Sequence, residues 1–99
     1  MLIDGTVPRA PVTRYSPAGV PVSRFMLEHD SHQTEAGRAR QVTCRIPVVA
    51  AGIELAGVVA ELGTKRVVRV EGFLCRDGYR RENEVVLHAN RIGFPDTID

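Results

Sequence analysis

Apolar and polar positions along this chain alternate in short runs, broken at near-regular intervals by Pro and Gly. Alternation at period two is the signature of strands, whose successive side chains point to opposite faces. The first run, Leu2 to Tyr15, is interrupted by Pro8 and Pro11. Proline donates nothing to a ladder, so an edge or a bulge is predicted there. Ser16-Pro17-Ala18-Gly19 is a turn signature, with Pro setting φ and Gly supplying φ > 0. The second run, Val20 to His29, carries Val22, Phe25, Met26 and Leu27. Asp30 to Arg40 is polar, contains Gly37 and reads as a long hairpin tip. The third run, Gln41 to Ala51, holds Val42, Cys44, Ile46, Val48 and Val49, with Thr43 and Arg45 alternating to the other face. Gly52 to Gly63 is the one candidate helix, with an apolar stripe of Ile53, Leu55, Ala56, Val59, Ala60 and Leu62 that Gly57 weakens. In the fourth run, Lys65 to Cys75, Val68, Val70, Gly72 and Leu74 share one face. Val67, Arg69, Glu71, Phe73 and Cys75 share the other. Arg76 to Asn83 is a charged loop. The fifth run, Glu84 to Phe94, sets Val85, Leu87, Ala89 and Arg91 against Val86, His88, Asn90 and Ile92.

Three strands, a short helix and two strands is the order of the OB-fold, although periodicity alone leaves other small barrels open. The expectation is therefore an all-β chain: a five-stranded OB-fold barrel with one short helix between strands 3 and 4. Gly5, Gly72 and Pro8 suit the bends such a barrel needs. At 99 residues the chain is expected to form one domain, 1–99, with 95–99 as a frayed acidic tail. A chain this short buries only roughly two-thirds of its unfolded surface, so oligomerisation would help it. No apolar run approaches the roughly 18 residues that span a bilayer. Met1 to Gly5 lacks the pattern of a signal peptide, and a cytoplasmic compartment is expected.

Composition changes the picture through charge type. Net charge is only +1, but twelve of the thirteen basic residues are Arg. Arg is suited to phosphate forks and to stacking on bases. Ala36 to Ile53 contains Arg38, Arg40 and Arg45 and no acidic residue; Arg76 to Arg81 holds three Arg against Asp77. The two cysteines, Cys44 and Cys75, are too few for a disulfide scaffold and read as small, semi-apolar strand residues. With His29, His32 and His88 they make no standard zinc spacing, so no metal is expected. No phosphate loop, dinucleotide fingerprint or nucleophile elbow is present. No enzyme activity, cofactor, small-molecule substrate or membrane role is expected.

What remains is a binding surface. Single-stranded nucleic acid is held by a positive groove with aromatic or Arg platforms for its bases. Arg24, Arg38, Arg40, Arg45, Arg69, Arg76, Arg80 and Arg81 supply charge, and Phe73 and Tyr79 supply stacking. Phe73 stands beside Arg69 and Glu71, as an apolar residue on a polar face.

Several segments together resemble a known family. Gly5-Thr6-Val7-Pro8-Arg9-Ala10-Pro11, Ser16-Pro17-Ala18-Gly19-Val20-Pro21, Phe25-Met26-Leu27-Glu28-His29, Gln41-Val42, Ile46-Pro47-Val48, Val70-Glu71-Gly72-Phe73 and Val86-Leu87-His88-Ala89 look like bacterial primosomal replication protein N (PriB). The resemblance runs in order over nearly the whole chain. It implies a homodimer of OB-folds related to single-stranded DNA-binding protein. The family binds single-stranded DNA and helps reload the replicative helicase at stalled forks, with the primosomal helicase PriA and the loader protein DnaT. The resemblance also implies first strands paired across a two-fold axis, covering what Leu2 and Ile3 leave exposed. Arg14 stands where the family often has a basic residue. Three positions depart from the pattern: Thr43 where some members carry Trp, Asp30 where some have Arg, and Arg38 where some have Phe.

Two functions from different classes follow. The first is a single-stranded DNA-binding accessory protein of replication restart. The second is a dimeric protein–protein adaptor of the primosome with weak or indirect DNA contact, which the missing aromatics favour. An RNA-binding OB-fold is a third class, but the clustered strand aromatics of the cold-shock type are absent.

Overall fold

The computed structural model describes residues 1–62, 67–77 and 84–95. The first run breaks where its prolines predict. Leu2–Gly5 forms β1 and Val12–Tyr15 forms β2, with Pro8 and Pro11 between them. Pro21–Glu35 is β3, Arg38–Ala51 is β4, Ile53–Val59 is helix α1, Val68–Asp77 is β5 and Glu84–Gly93 is β6. These form one sheet in the order β1-β5-β6-β4-β3-β2. Every neighbouring pair is antiparallel except β4 and β6.

The expected five-stranded barrel is therefore corrected to six strands in an open order. The prolines split the first run, and its two halves form the two edges of the sheet. An isolated bridge joins the middle of that run to β3: Thr6 N–H donates to the Glu28 carbonyl at 2.9 Å, and Glu28 N–H returns a bond at 2.8 Å. Gly5 permits this approach, because a Cβ there would collide with the Glu28 carbonyl.

One face of the curled sheet forms the core. Ile3, Val7, Phe25, Leu27, Val48, Ala50, Val68, Val70 and Leu87 are buried together, and Val59 of α1 joins them. Ile3 was expected at a dimer surface, but it packs in this core, opposite Val70 in the ladder. Leu2, one residue earlier, faces the other way and is exposed. The helix is shorter than its stripe. Leu55 and Leu62 pack on the core, but Ile53 at the first position is 80% exposed and Ala60 is also exposed.

Two further expectations change. The polar segment 30–40 is not a loop. The β3–β4 ladder continues through it to Glu35 opposite Arg38, leaving only Ala36 and Gly37 as the turn. Both have positive φ, 50° and 77°, the combination that matches strand twist in a two-residue hairpin. In β6 the single alternation expected over 84–94 fails at Asn90. Glu71 pairs with Arg91 but Gly72 with Ala89, so Asn90 is an extra residue and the side chains change phase. Leu87 and Ala89 face the core before the bulge, and Ile92 faces it afterwards. Leu74 keeps the expected phase with Val68 and Val70, opposite the buried Leu87, but its side chain is half exposed.

Candidate nucleic-acid interface

The face of the sheet turned away from the core carries a straight row of cross-strand neighbours. Phe73 of β5 stands opposite His88 of β6. His88 lies beside Val49 of β4, Val49 opposite Arg24 of β3, and Arg24 opposite Val12 of β2. Directly opposed residues share a face, so the row crosses five strands on one surface.

Phe73 is 53% exposed. Its ring stacks on that of His88, with centroids 5.3 Å apart and planes within 7°. Gly72 makes this possible by letting β5 approach β6 at the bulge, since a Cβ there would collide with the His88 carbonyl. His88 was not among the candidate residues. Its pairing with Phe73 depends on the β5–β6 register, which the bulge resets, so no local pattern announces it.

The arginines fall into groups. Arg14 and Arg24 are exposed on the outer face. Arg45 and Arg69 share that face, and each is held by a carboxylate. Arg45 Nε donates to Glu28 at 3.1 Å. Arg69 makes a fork to Asp4, at 2.7 Å from Nε and 2.9 Å from Nη2. The fork stabilises the ionised Asp4 carboxylate and holds its pKa below the ordinary 3.8; Arg69's charge, and to a smaller extent that of His29, act the same way against a weak burial penalty. Bonding to Asp4 likewise raises Arg69. His29 Nδ1 donates to the Asp4 carbonyl at 2.6 Å and ties β3 to β1.

Arg38 and Arg40 sit on the β3–β4 hairpin beyond the core, both exposed, in the opposite phase from Arg45. The structure does not place them in the Phe73 row. Arg76 is exposed near the end of β5. The parallel β4–β6 pairing puts the β3–β4 and β5–β6 hairpins at the same end of the sheet. Tyr79, Arg80 and Arg81 lie outside the described residues. Two departures from the family pattern prove to be partners: Asp30 and Thr43 are opposed in the ladder, and Thr43 Oγ1 donates to Asp30 at 2.7 Å. Among the described residues no cluster of His, Cys, Asp or Glu is placed to hold a metal, and no helix is long and apolar enough to cross a membrane. Cys44 and Cys75 are free thiols.

A single mixed sheet with an exposed Phe73 stacked on His88 on its outer face, and exposed arginines toward one end, defines a class. The family model described as "Another single-strand binding protein family" matches residues 1–91. Among solved structures, PriB from Ralstonia solanacearum superposes with a TM-score of 0.79 at 29% identity, covering 96% of this chain and 95% of that one. A small single-stranded DNA-binding protein from Streptomyces coelicolor gives 0.75 at 23% identity, covering 95% and 89%. Replication restart protein PriB of Yersinia pseudotuberculosis is 40% identical over the whole of this chain and 95% of its own. PriB of Photorhabdus laumondii matches to the same extent. The chain belongs to the replication restart protein PriB family of single-strand binding proteins.

Proposed function

We propose that this protein binds single-stranded DNA as an accessory factor in replication restart. The observation that carries the reading is the exposed Phe73 ring stacked on the partly buried His88, in register with Arg24, in a chain of this family. Stacked rings take bases without regard to sequence, and guanidiniums take the phosphates between them. The hairpin residues Arg38, Arg40 and Arg76 extend the positive surface. Tyr79, Arg80 and Arg81, which lie outside the described residues, remain candidate DNA contacts on the sequence alone. Arg45 and Arg69 must exchange a carboxylate for a phosphate when they contact DNA. The role is binding, not catalysis.

The Thr6–Glu28 bridge, which brings the β1 edge to β3, supports reading the open, curled sheet as OB-like. In this reading two copies pair along their first strands, covering Met1 and Leu2, both exposed. The dimer acts in the cytoplasm, presenting DNA to the helicase PriA and the loader DnaT. Charge reversal of Arg38 with Arg40 tests the surface: oligonucleotide affinity is expected to fall sharply, and unchanged affinity would remove the hairpin from it.

The carboxylate-held Arg45 and Arg69 favour a second reading, a dimeric adaptor that contacts DNA weakly. It requires helicase capture to depend on the hairpins. Equal capture by the wild type and the Arg38/Arg40 variant would count against it.

A further inference from the structure

We infer that Met26 heads a second row of contacts on the outer face, beside the row that ends in Phe73, and that this second row takes bases and not phosphates. The inference rests on the DNA-binding reading above and extends it to residues that are not among the sequence candidates. Met26 of β3 stands opposite Pro47 of β4. The parallel register sets Val48 beside Leu87, so one residue back Pro47 comes beside Val86 of β6. Val86 in turn stands opposite Cys75 of β5. Met26, Pro47, Val86 and Cys75 are each two positions along their strands from Arg24, Val49, His88 and Phe73. Residues two apart on a strand share a face, so both rows lie on the outer surface, roughly 7 Å apart.

Burial agrees with this placement. Val49 and Val86 are buried, yet neither belongs to the core cluster on the inner face. They give the outer face an apolar floor of its own. Phe73, Cys75 and Met26 remain exposed, Met26 by 37%, and Pro47 is half-buried. The row from Cys75 to Met26 carries no charged side chain. Toward the β3–β4 hairpin it is bounded by the Arg45–Glu28 ion pair at 3.1 Å. Such a row offers no cation to a phosphate and an apolar surface to a base ring. Methionine suits that surface, because its thioether is polarisable and favours contact with aromatic rings, and its flexible chain adapts to whichever base arrives. Measured along the sheet, three inter-strand steps and one row separate Met26 from Phe73, roughly 16 Å. The two side chains therefore meet different bases of one strand.

The test combines two measurements. The first is anisotropy of a labelled poly-thymidine oligonucleotide against salt for Met26→Ala, Met26→Leu and Phe73→Ala, alongside thermal midpoint and solution mass. Met26→Ala is expected to bind roughly two- to tenfold more weakly with its log–log salt slope unchanged, because a base contact releases no counterion. Met26→Leu keeps the apolar contact and is expected to bind nearly as the wild type does. Midpoint and mass are expected to stay the same, since Met26 lies outside the core cluster. The second measurement uses the wild-type protein. Alkylation of Cys75 by iodoacetamide, followed by mass spectrometry, is expected to slow when poly-thymidine is bound, while the half-buried Cys44, in the opposite phase of β4 from Pro47, reacts as before. Unchanged affinity in Met26→Ala while Phe73→Ala weakens binding would overturn the row and leave the DNA-binding reading standing. A shallower salt slope in Met26→Ala, or equal alkylation of Cys75 with and without the oligonucleotide, would do the same. A change in mass without a change in affinity would assign the row to self-association and overturn it equally. Failure of the wild type to bind at low salt would overturn the reading and the row together.

Discussion

Asp4 and Arg69 show how one fork ties stability and binding together. Asp4's pKa is depressed in the folded state. The folded chain thus binds fewer protons than the unfolded chain just below the ordinary Asp value of 3.8. Stability from this group is complete above that value and is lost as pH falls through the lower, folded pKa. Asp4→Asn is expected to flatten the stability–pH curve on that acid limb, measured as urea midpoint against pH; an unchanged curve would remove the fork from it. The same substitution frees Arg69 and deletes a negative charge, so DNA affinity at low salt is expected to rise. Gly72 acts through space rather than conformation. Adding a Cβ forces β5 from the His88 carbonyl. Gly72→Ala should destabilise the fold by about 1–3 kcal/mol, typical of overpacking, by denaturant unfolding. At this scale much was legible. Phe73 reads as exposed because Arg69 and Glu71 flank it on its face, whereas His88 acquires its role only through pairing.

Elements were legible where one face meets the core and illegible where neither does. The alternation of β5 is visible from Val68 to Glu71 because Val68 and Val70 are buried between exposed neighbours. The outer ends of β3 and β4 run past the core, so both faces are wet and a polar ladder looks like a loop. The β6 bulge defeats periodicity in another way, by shifting its phase at Asn90. The hairpin turn also carries a local cost, since Ala36 adopts φ 50°, a region that side chains with a Cβ avoid. Ala36→Gly is expected to stabilise the arm by about 1 kcal/mol. The check is a higher urea midpoint with the slope unchanged; a lower midpoint would mean that the turn is not of this type.

For the whole molecule, the near-neutral net charge hides the distribution that matters. Among the described residues, exposed arginines lie on the outer face and toward the β3–β4 and β5–β6 end of the sheet, and Arg45 and Arg69 of the outer face are held by carboxylates. This arrangement makes affinity electrostatic first and aromatic second. The most direct test of the central claim is the salt dependence of poly-thymidine binding, followed by fluorescence anisotropy. Each phosphate neutralised contributes a log–log slope of about −0.7 for single strands, and the Arg38→Glu/Arg40→Glu pair should make the slope shallower by about 1.4. A wild-type slope of about −2 or steeper, reduced in that variant, is the predicted result. Binding that is weak and flat with salt in both proteins would contradict the account.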